Sequence, residues 1–251
     1  MVCRDPDAAL CRGGRVARNG AAFRPGGGGL SEPARFEAIE LGCRRGGRAV
    51  FGGLGFAVEA GGALVLHGPN GAGKSSLLRI LAGLLRPASG RLLWNGAPLG
   101  EDAEAHRARL HYVGHLDALK PLMTPRETLR FCAAMRGETA RVDEALERLG
   151  LAALADMPGR YLSAGQKRRV ALARLAASPA MLWLIDEPSV TLDAEATAAL
   201  EAMMAAHRAA GGMIVLATHT GIAMEGAARL DLARFAATPA RAAAGFEDET
   251  W

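Results

Sequence analysis

"ALVLHGPNGAGKSSLLRILAGLL", Ala63 to Leu85, decides the architecture of this chain. Ala63–His67 is short, apolar and suited to a buried strand. Gly68 to Ser75 then fit the spacing G-x-x-x-x-G-K-[ST]. Behind them Leu77, Leu78, Ile80, Leu81, Leu84 and Leu85 recur at helical intervals, with Gly83 and Pro87 weakening the end. Strand, glycine loop and helix in this order predict a phosphate cradle. Gly68, Gly71 and Gly73, with Pro69, Asn70 and Ala72 between them, let the loop curl so that successive amides face phosphate oxygens. Lys74 adds a point charge, the Ser75 hydroxyl suits Mg²⁺, and Ser76 lies at the same loop-to-helix junction. The plainer reading is a glycine-rich turn with a surface lysine, and the flanking strand and helix weigh against it.

Two further apolar runs, "MLWLI" (Met181–Ile185) and "MIVLA" (Met213–Ala217), have the length of buried parallel strands. A helical stretch from Ala194 to about Ala210 lies between them, so the pattern predicts an α/β sheet. "RLLWNGAPL" carries Asn95-Gly96, a hairpin turn. "TPRETLRFCAAM" opens on a capping Thr124 and on Pro125 at the first helical position, inside a helical insertion spanning about 116–165. Residues 1–33, with "RPGGGGL", read as a disordered leader; residues 34–240 form the folded unit and 241–251 a tail.

Of 251 residues half are hydrophobic and 22% charged, the composition of a soluble globular protein. No apolar run approaches the ~18 residues that span a bilayer, and the first thirty residues lack a signal-peptide h-region. The chain is therefore expected in the cytoplasm. Cys3, Cys11, Cys43 and Cys132 form no C-x-x-C pair, which predicts free thiols, Cys132 a small core residue, and no structural metal. Of the 30 Lys and Arg and 26 acids, nine and five fall in residues 1–48, leaving 21 of each sign in the remainder. That neutral body carries no footprint for nucleic acid.

"LWLIDEP" places Asp186 and Glu187 at the end of an apolar strand. A lone acid there could simply cap the next helix. Two acids, in a chain with a phosphate loop, suit a magnesium shell (Asp186) and a general base for water (Glu187). His219 ends the run "MIVLATH"; such a histidine is usually incidental, yet it could donate to a developing γ-phosphate charge. "YLSAGQKRRVALARL" (Tyr161–Leu175) admits two readings. Ser163 and Gln166 are spaced as a capping box, and the amides of the helix start can also bind an anion.

Taken in order, the phosphate loop, LSAGQ, Asp186-Glu187, "VTLD" (Val190–Asp193) and His219 resemble the nucleotide-binding domain of the ABC ATPase superfamily over about residues 36–220. The resemblance implies an α/β P-loop NTPase fold of the ABC type, a mixed core sheet with an antiparallel β part and a helical insertion. It implies ATP and Mg²⁺ as ligands, with Lys74, Glu187 and His219 catalytic and Ser75 and Asp186 holding Mg²⁺. It further implies that Ser163, Gly165 and Gln166 face ATP held by a second copy, with Asp193 nearby, in an ATP-dependent homodimer.

Two positions depart from the family pattern. His115, in "HYVGHLDALKPLMT", stands where ABC proteins usually carry a glutamine that senses γ-phosphate and the membrane partner; a neutral histidine offers one donor and one acceptor. "LGCRRGGRAVF" lacks the usual aromatic under adenine, leaving Arg44 or Arg45 as a stacking surface.

"GHLDALK" (Gly114–Lys120) and the single compact cassette make the chain similar to the ATP-binding subunit of the cytochrome c maturation system, the haem exporter family CcmA. That similarity implies a multi-span membrane permease, other cytochrome c maturation proteins and a haem chaperone as partners, at the cytoplasmic face of the inner (cell) membrane. A transport ATPase for another cargo would share every catalytic motif. ABC mechanoenzymes of DNA repair insert long coiled coils, whereas 87 residues separate Lys74 from Leu162 here; ribosome-acting relatives generally carry two cassettes. A binding module without catalysis disagrees with the presence of Lys74, Asp186, Glu187 and His219. Haem leaves no C-x-x-C-H in this chain, so its handling falls to the partners.

Overall fold

From Arg35 the chain runs out and back as β1 (Arg35–Arg45) and β2 (Arg48–Glu59), turning at Gly46-Gly47, where φ is 54° and 75°. The computed structural model describes residues 34–115, 119–219, 222 and 224–236. The expected leader, the 241–251 tail, and Leu116, Asp117 and Ala118 of the Gly114–Lys120 stretch lie outside the described residues.

Strand β3 (Ala63–His67) feeds the glycine loop and α1 (Lys74–Leu81). Leu84 and Leu85, expected in that helix, fall beyond it. Gly83 takes φ 69°, and Gly83 N and Leu84 N donate to the carbonyls of Ile80 and Arg79 at 2.9 and 2.8 Å, the glycine stop that closes helix carbonyls. Strands β4 (Ser89–Trp94) and β5 (Ala97–Pro98) form the expected hairpin, with Asn95 and Gly96 at φ 51° and 79°. Helix α2 (Ala103–Arg109) leads to β6 (Leu110–Val113). The insertion holds α3 (Pro125–Ala134) and α4 (Val142–Arg148). Thr124 and Glu127 close a reciprocal cap on α3, and Arg126 ties α3 to Asp143 and Asp156. Helix α5 (Ala164–Ala177), β7 (Leu182–Asp186), α6 (Ala194–Ala209), β8 (Met213–Ala217) and β9 (Ala228–Asp231) complete the chain. Strand β7 lies one residue beyond the predicted run and so takes in Asp186.

The strands divide into two sheets. β2-β1-β4-β5 is antiparallel, and β6-β7-β8-β3-β9 is parallel throughout. The antiparallel part is thus a sheet of its own. β7 and β8 are buried along their whole length because both faces are covered. Leu182, Leu184, Met213, Val215 and Ala217 pack toward α1 and the antiparallel sheet, while Trp183, Ile185, Ile214 and Leu216 pack toward the helices of the other side. Among the described residues Cys43, not Cys132, is the buried thiol; Cys132 on α3 is half-exposed.

Strand order builds the site. β8 lies between β7 and β3, and Asp186, Ala217 and Leu66 are in register across the three. The loops after β3, β6, β7 and β8 therefore leave the same carboxyl edge, where open α/β sheets bind ligands.

Candidate functional site

The phosphate loop sits on the antiparallel sheet. Gly73 has φ 99°, and a Cβ there would lie 2.8 Å from Val50 Cγ1 and 3.0 Å from Phe51 Cδ1. Only glycine permits both that turn and that approach. Gly73 also begins α1, whose start has no side-chain cap. The helix amides are thereby left for an anion, which the helix dipole favours. Lys74 is buried, its Nζ donating to the carbonyls of Gly68 at 2.7 Å and Pro69 at 3.4 Å. Ser75 is exposed beside it.

Across β8, Asp186 is 1% exposed and its Oδ1 has no hydrogen-bond partner. A buried carboxylate oxygen without a donor is costly unless a cation satisfies it. Together with the Ser75 hydroxyl it fits Mg²⁺, which takes one or two protein oxygens plus substrate phosphates.

Glu187 follows in the left-handed region, φ 46°, its N–H held by Ala217 O at 2.8 Å. Its carboxylate lies 2.7 Å from His219 Nδ1 and accepts from His219 N at 3.3 Å. The carboxylate is largely covered while the imidazole is mostly exposed. The two residues reach one another from adjacent strands, so the structure unites the base candidate and the histidine.

At the start of α5 the capping reading holds in full. Ser163 Oγ accepts from Gln166 N at 3.2 Å, and Gln166 Oε1 accepts from Ser163 N at 2.8 Å. Gly165 packs against the loop that carries Thr191: a Cβ on it would stand 2.6 Å from Thr191 O, and Thr191 itself has φ 71°. Asp193 caps α6 through Ala196 N at 2.8 Å and lies 3.9 Å from Arg169. His115 is exposed at the exit of β6. Arg44 and Arg45 are exposed at the β1–β2 turn, where Arg44 donates to Gly47 O at 3.4 Å.

Sequence reasoning missed Arg168. In "KRR" it looks like part of a solvated helix face, yet it is 3% exposed and its guanidinium donates to the carbonyls of Gly114, Asp186, Glu187 and Pro188. It also missed the support of Gly73 by Val50 and Phe51. Neither has a local signal, because both depend on partners distant in the chain.

Comparison with known proteins agrees with this fold. The family description ABC transporter matches residues 51–190. A protein of Paramagnetospirillum magneticum, "Cytochrome c biogenesis ATP-binding export protein CcmA", is 59% identical over 80% of this chain and 95% of its own length. Its counterpart of the same name in Rhodospirillum rubrum is 55% identical over 90% and 98%. Among solved structures, an ATP-binding subunit of an ABC transporter superposes with a TM-score of 0.69 at 29% identity, over 73% of this chain and 79% of that one. A bacterial Atm1-family ABC exporter with ATP bound gives 0.68 at 25% identity, over 75% and 35%.

Proposed function

The chain belongs to the CcmA family of ABC-transporter ATP-binding subunits, and on that footing we propose that it is the ATP-hydrolysing subunit of a membrane complex for cytochrome c biogenesis, driving haem export or release of the haem-loaded chaperone. The observation that supports its chemistry best is the meeting of the phosphate loop, Asp186, Glu187 and His219 at one edge of the parallel sheet. The names of the similar proteins favour this pathway over another cargo.

In the proposed reaction, residues Gly68 to Ser76 cradle the phosphates of ATP and Lys74 turns its ammonium from the loop carbonyls to them. Ser75 and Asp186 would hold Mg²⁺, which would supply charge neutralisation to the phosphates. Glu187 takes a proton from the attacking water as its oxygen bonds to the γ-phosphorus and the bond to ADP oxygen breaks. His219 keeps the Glu187 carboxylate oriented through Nδ1 and presents its far edge to the γ-phosphate. His115 contacts the γ-phosphate region, and Arg44 or Arg45 lies along adenine. A second copy supplies Ser163, Gly165, Gln166 and Asp193, so each site is complete only in the dimer.

The membrane partner is read from the insertion. Leu122, Phe131, Met135 and Tyr161 are 74%, 61%, 76% and 63% exposed. The carbonyls of Pro121 and Met123 accept from Arg160 N and Gly159 N at 2.9 Å each, which holds the Leu122 segment against the stretch that leads into Tyr161. Apolar side chains so exposed suit burial by a partner. The proposed permease surface therefore runs from His115 through Pro121–Phe131 and extends to Met135 and Tyr161, and Leu116, expected in the same surface, lies outside the described residues. No helix among the described residues is long and apolar enough to cross a membrane. The names of the similar proteins support a peripheral position for the chain at the cytoplasmic face of the inner membrane, held by its permease.

Purification of the tagged chain from solubilised native membranes, with mass spectrometry of what accompanies it, tests this. A multi-span permease with cytochrome c maturation proteins is the expected result. A different permease would move the chain to another cargo, and ribosomes or DNA-repair proteins would end the transport reading.

A further inference from the structure

Arg168 reaches the carboxyl edge of the parallel sheet, at the turn after β7 and the exit of β6. It lies one turn into α5, the helix capped by Ser163. Its Nη2 donates to the carbonyls of Asp186 at 2.5 Å and Glu187 at 2.9 Å, its Nε to Pro188 at 3.4 Å, and its Nη1 to Gly114 at 2.7 Å. Three of these acceptors belong to the turn in which Glu187 adopts φ 46°, a conformation a glutamate rarely holds unless its surroundings impose it. The fourth precedes His115 at the exit of β6. Guanidinium suits such a clamp because it is rigid, planar and always charged, with five donors in fixed directions. A lysine could supply the charge but not the fork.

We propose that Arg168 is a positioning residue for ATP hydrolysis: it clamps the backbone turn that aims the Glu187 carboxylate and binds that turn, with the Gly114–His115 exit, to the signature helix α5. The proposal rests on the reading of Glu187 as general base. It assigns Arg168 no contact with ATP. Arg168 instead gives α5, whose start faces the nucleotide of the second copy, a rigid hold on the base of its own copy. Displacement of α5 therefore displaces Glu187, and hydrolysis follows correct seating of the signature.

The test compares the full chain, Arg168→Lys, Glu187→Gln and the double variant, by ATP titration, thermal melting and single-turnover hydrolysis. Misplacement of a reacting group by about 1 Å costs on the order of 10²-fold. Arg168→Lys is therefore expected to slow the chemical step by about that factor, with ATP affinity unchanged. In the Glu187→Gln background the same change is expected to cause no further loss, because the group it positions is gone. An equal loss in both backgrounds would show that Arg168 acts apart from Glu187 and would overturn the proposal. Weakened ATP binding in step with a lowered melting temperature, or an Arg168→Lys chain that does not fold, would make it a residue of the fold and overturn it also. Wild-type turnover in Glu187→Gln alone would instead remove the base reading, and the proposal with it.

Discussion

Glu187 and Lys74 act on different parts of the reaction, and their substitutions separate them. Glu187→Gln keeps the shape and the contact with His219 but removes the proton acceptor. Turnover should fall by roughly 10²–10⁴-fold while ATP still binds, as read by hydrolysis rate and by titration. Lys74→Ala deletes a buried ammonium whose donors now satisfy Gly68 O and Pro69 O. ATP affinity should drop by about 10- to 100-fold, the worth of a charge-assisted bond; unchanged affinity in titration would count against the phosphate-loop assignment. These residues were legible in the sequence because each sits at a fixed offset from an apolar strand. Arg168 was not, since its acceptors lie 18 to 54 positions away.

For helix α5 the choice of probe depends on packing. An aspartate at Gly165 would bring a charge toward a partner's γ-phosphate, but its Cβ would collide with Thr191 O at 2.6 Å. Any loss would then mix a local distortion with the repulsion. Ala164 is exposed and adjoins the same helix start. In Ala164→Asp the new charge favours its own helix dipole, so melting should be unchanged or slightly raised. ATP-dependent dimerisation, followed by light scattering in the Glu187→Gln background, should be abolished. A normal dimer would sink the two-copy sandwich. The capping box of Ser163 and Gln166 and the Thr124 cap were readable from residue spacing because caps are local, and the structure added Glu127 as the partner of Thr124. The Gly83 stop that releases Leu84 and Leu85 was only half readable, because leucines continue the helical pattern past it.

Across the whole molecule, the helix-facing core is sensitive to acid. His111 is buried, bonded to Ser178 O at 2.9 Å, and desolvation lowers its pKa from 6.5 to about 3, aided by the nearby charge of Arg136. His207 stacks on Trp183 at 3.9 Å, and desolvation takes its pKa to about 4. Below pH 6.5 the unfolded chain binds protons that the folded chain refuses, so stability falls as pH falls. The window opens near pH 6.5 and closes near the folded values of about 4 and about 3. Each histidine contributes at most ~1.4 kcal/mol per pH unit. Denaturant melts of His207→Gln should show that slope reduced between pH 6.5 and about 4; an unaltered slope would locate the acid sensitivity elsewhere.

The sequence by itself determined the parts whose physics is local. The strand, loop and helix around Gly68–Ser75, the turn at Asn95-Gly96, the helix starts at Thr124 and Ser163, and the acids closing β7 all follow from residue type and spacing within a few positions. The tertiary structure alone decided how they meet. It placed β8 between β7 and β3, so that Glu187 and His219 face one another beside the phosphate loop. It set Val50 and Phe51 beneath Gly73 and left one oxygen of Asp186 buried without a donor. It also turned Arg168 of the KRR run inward onto four carbonyls. Strand order and burial are properties of how apolar faces find each other across the chain, and no run of residues carries that information locally.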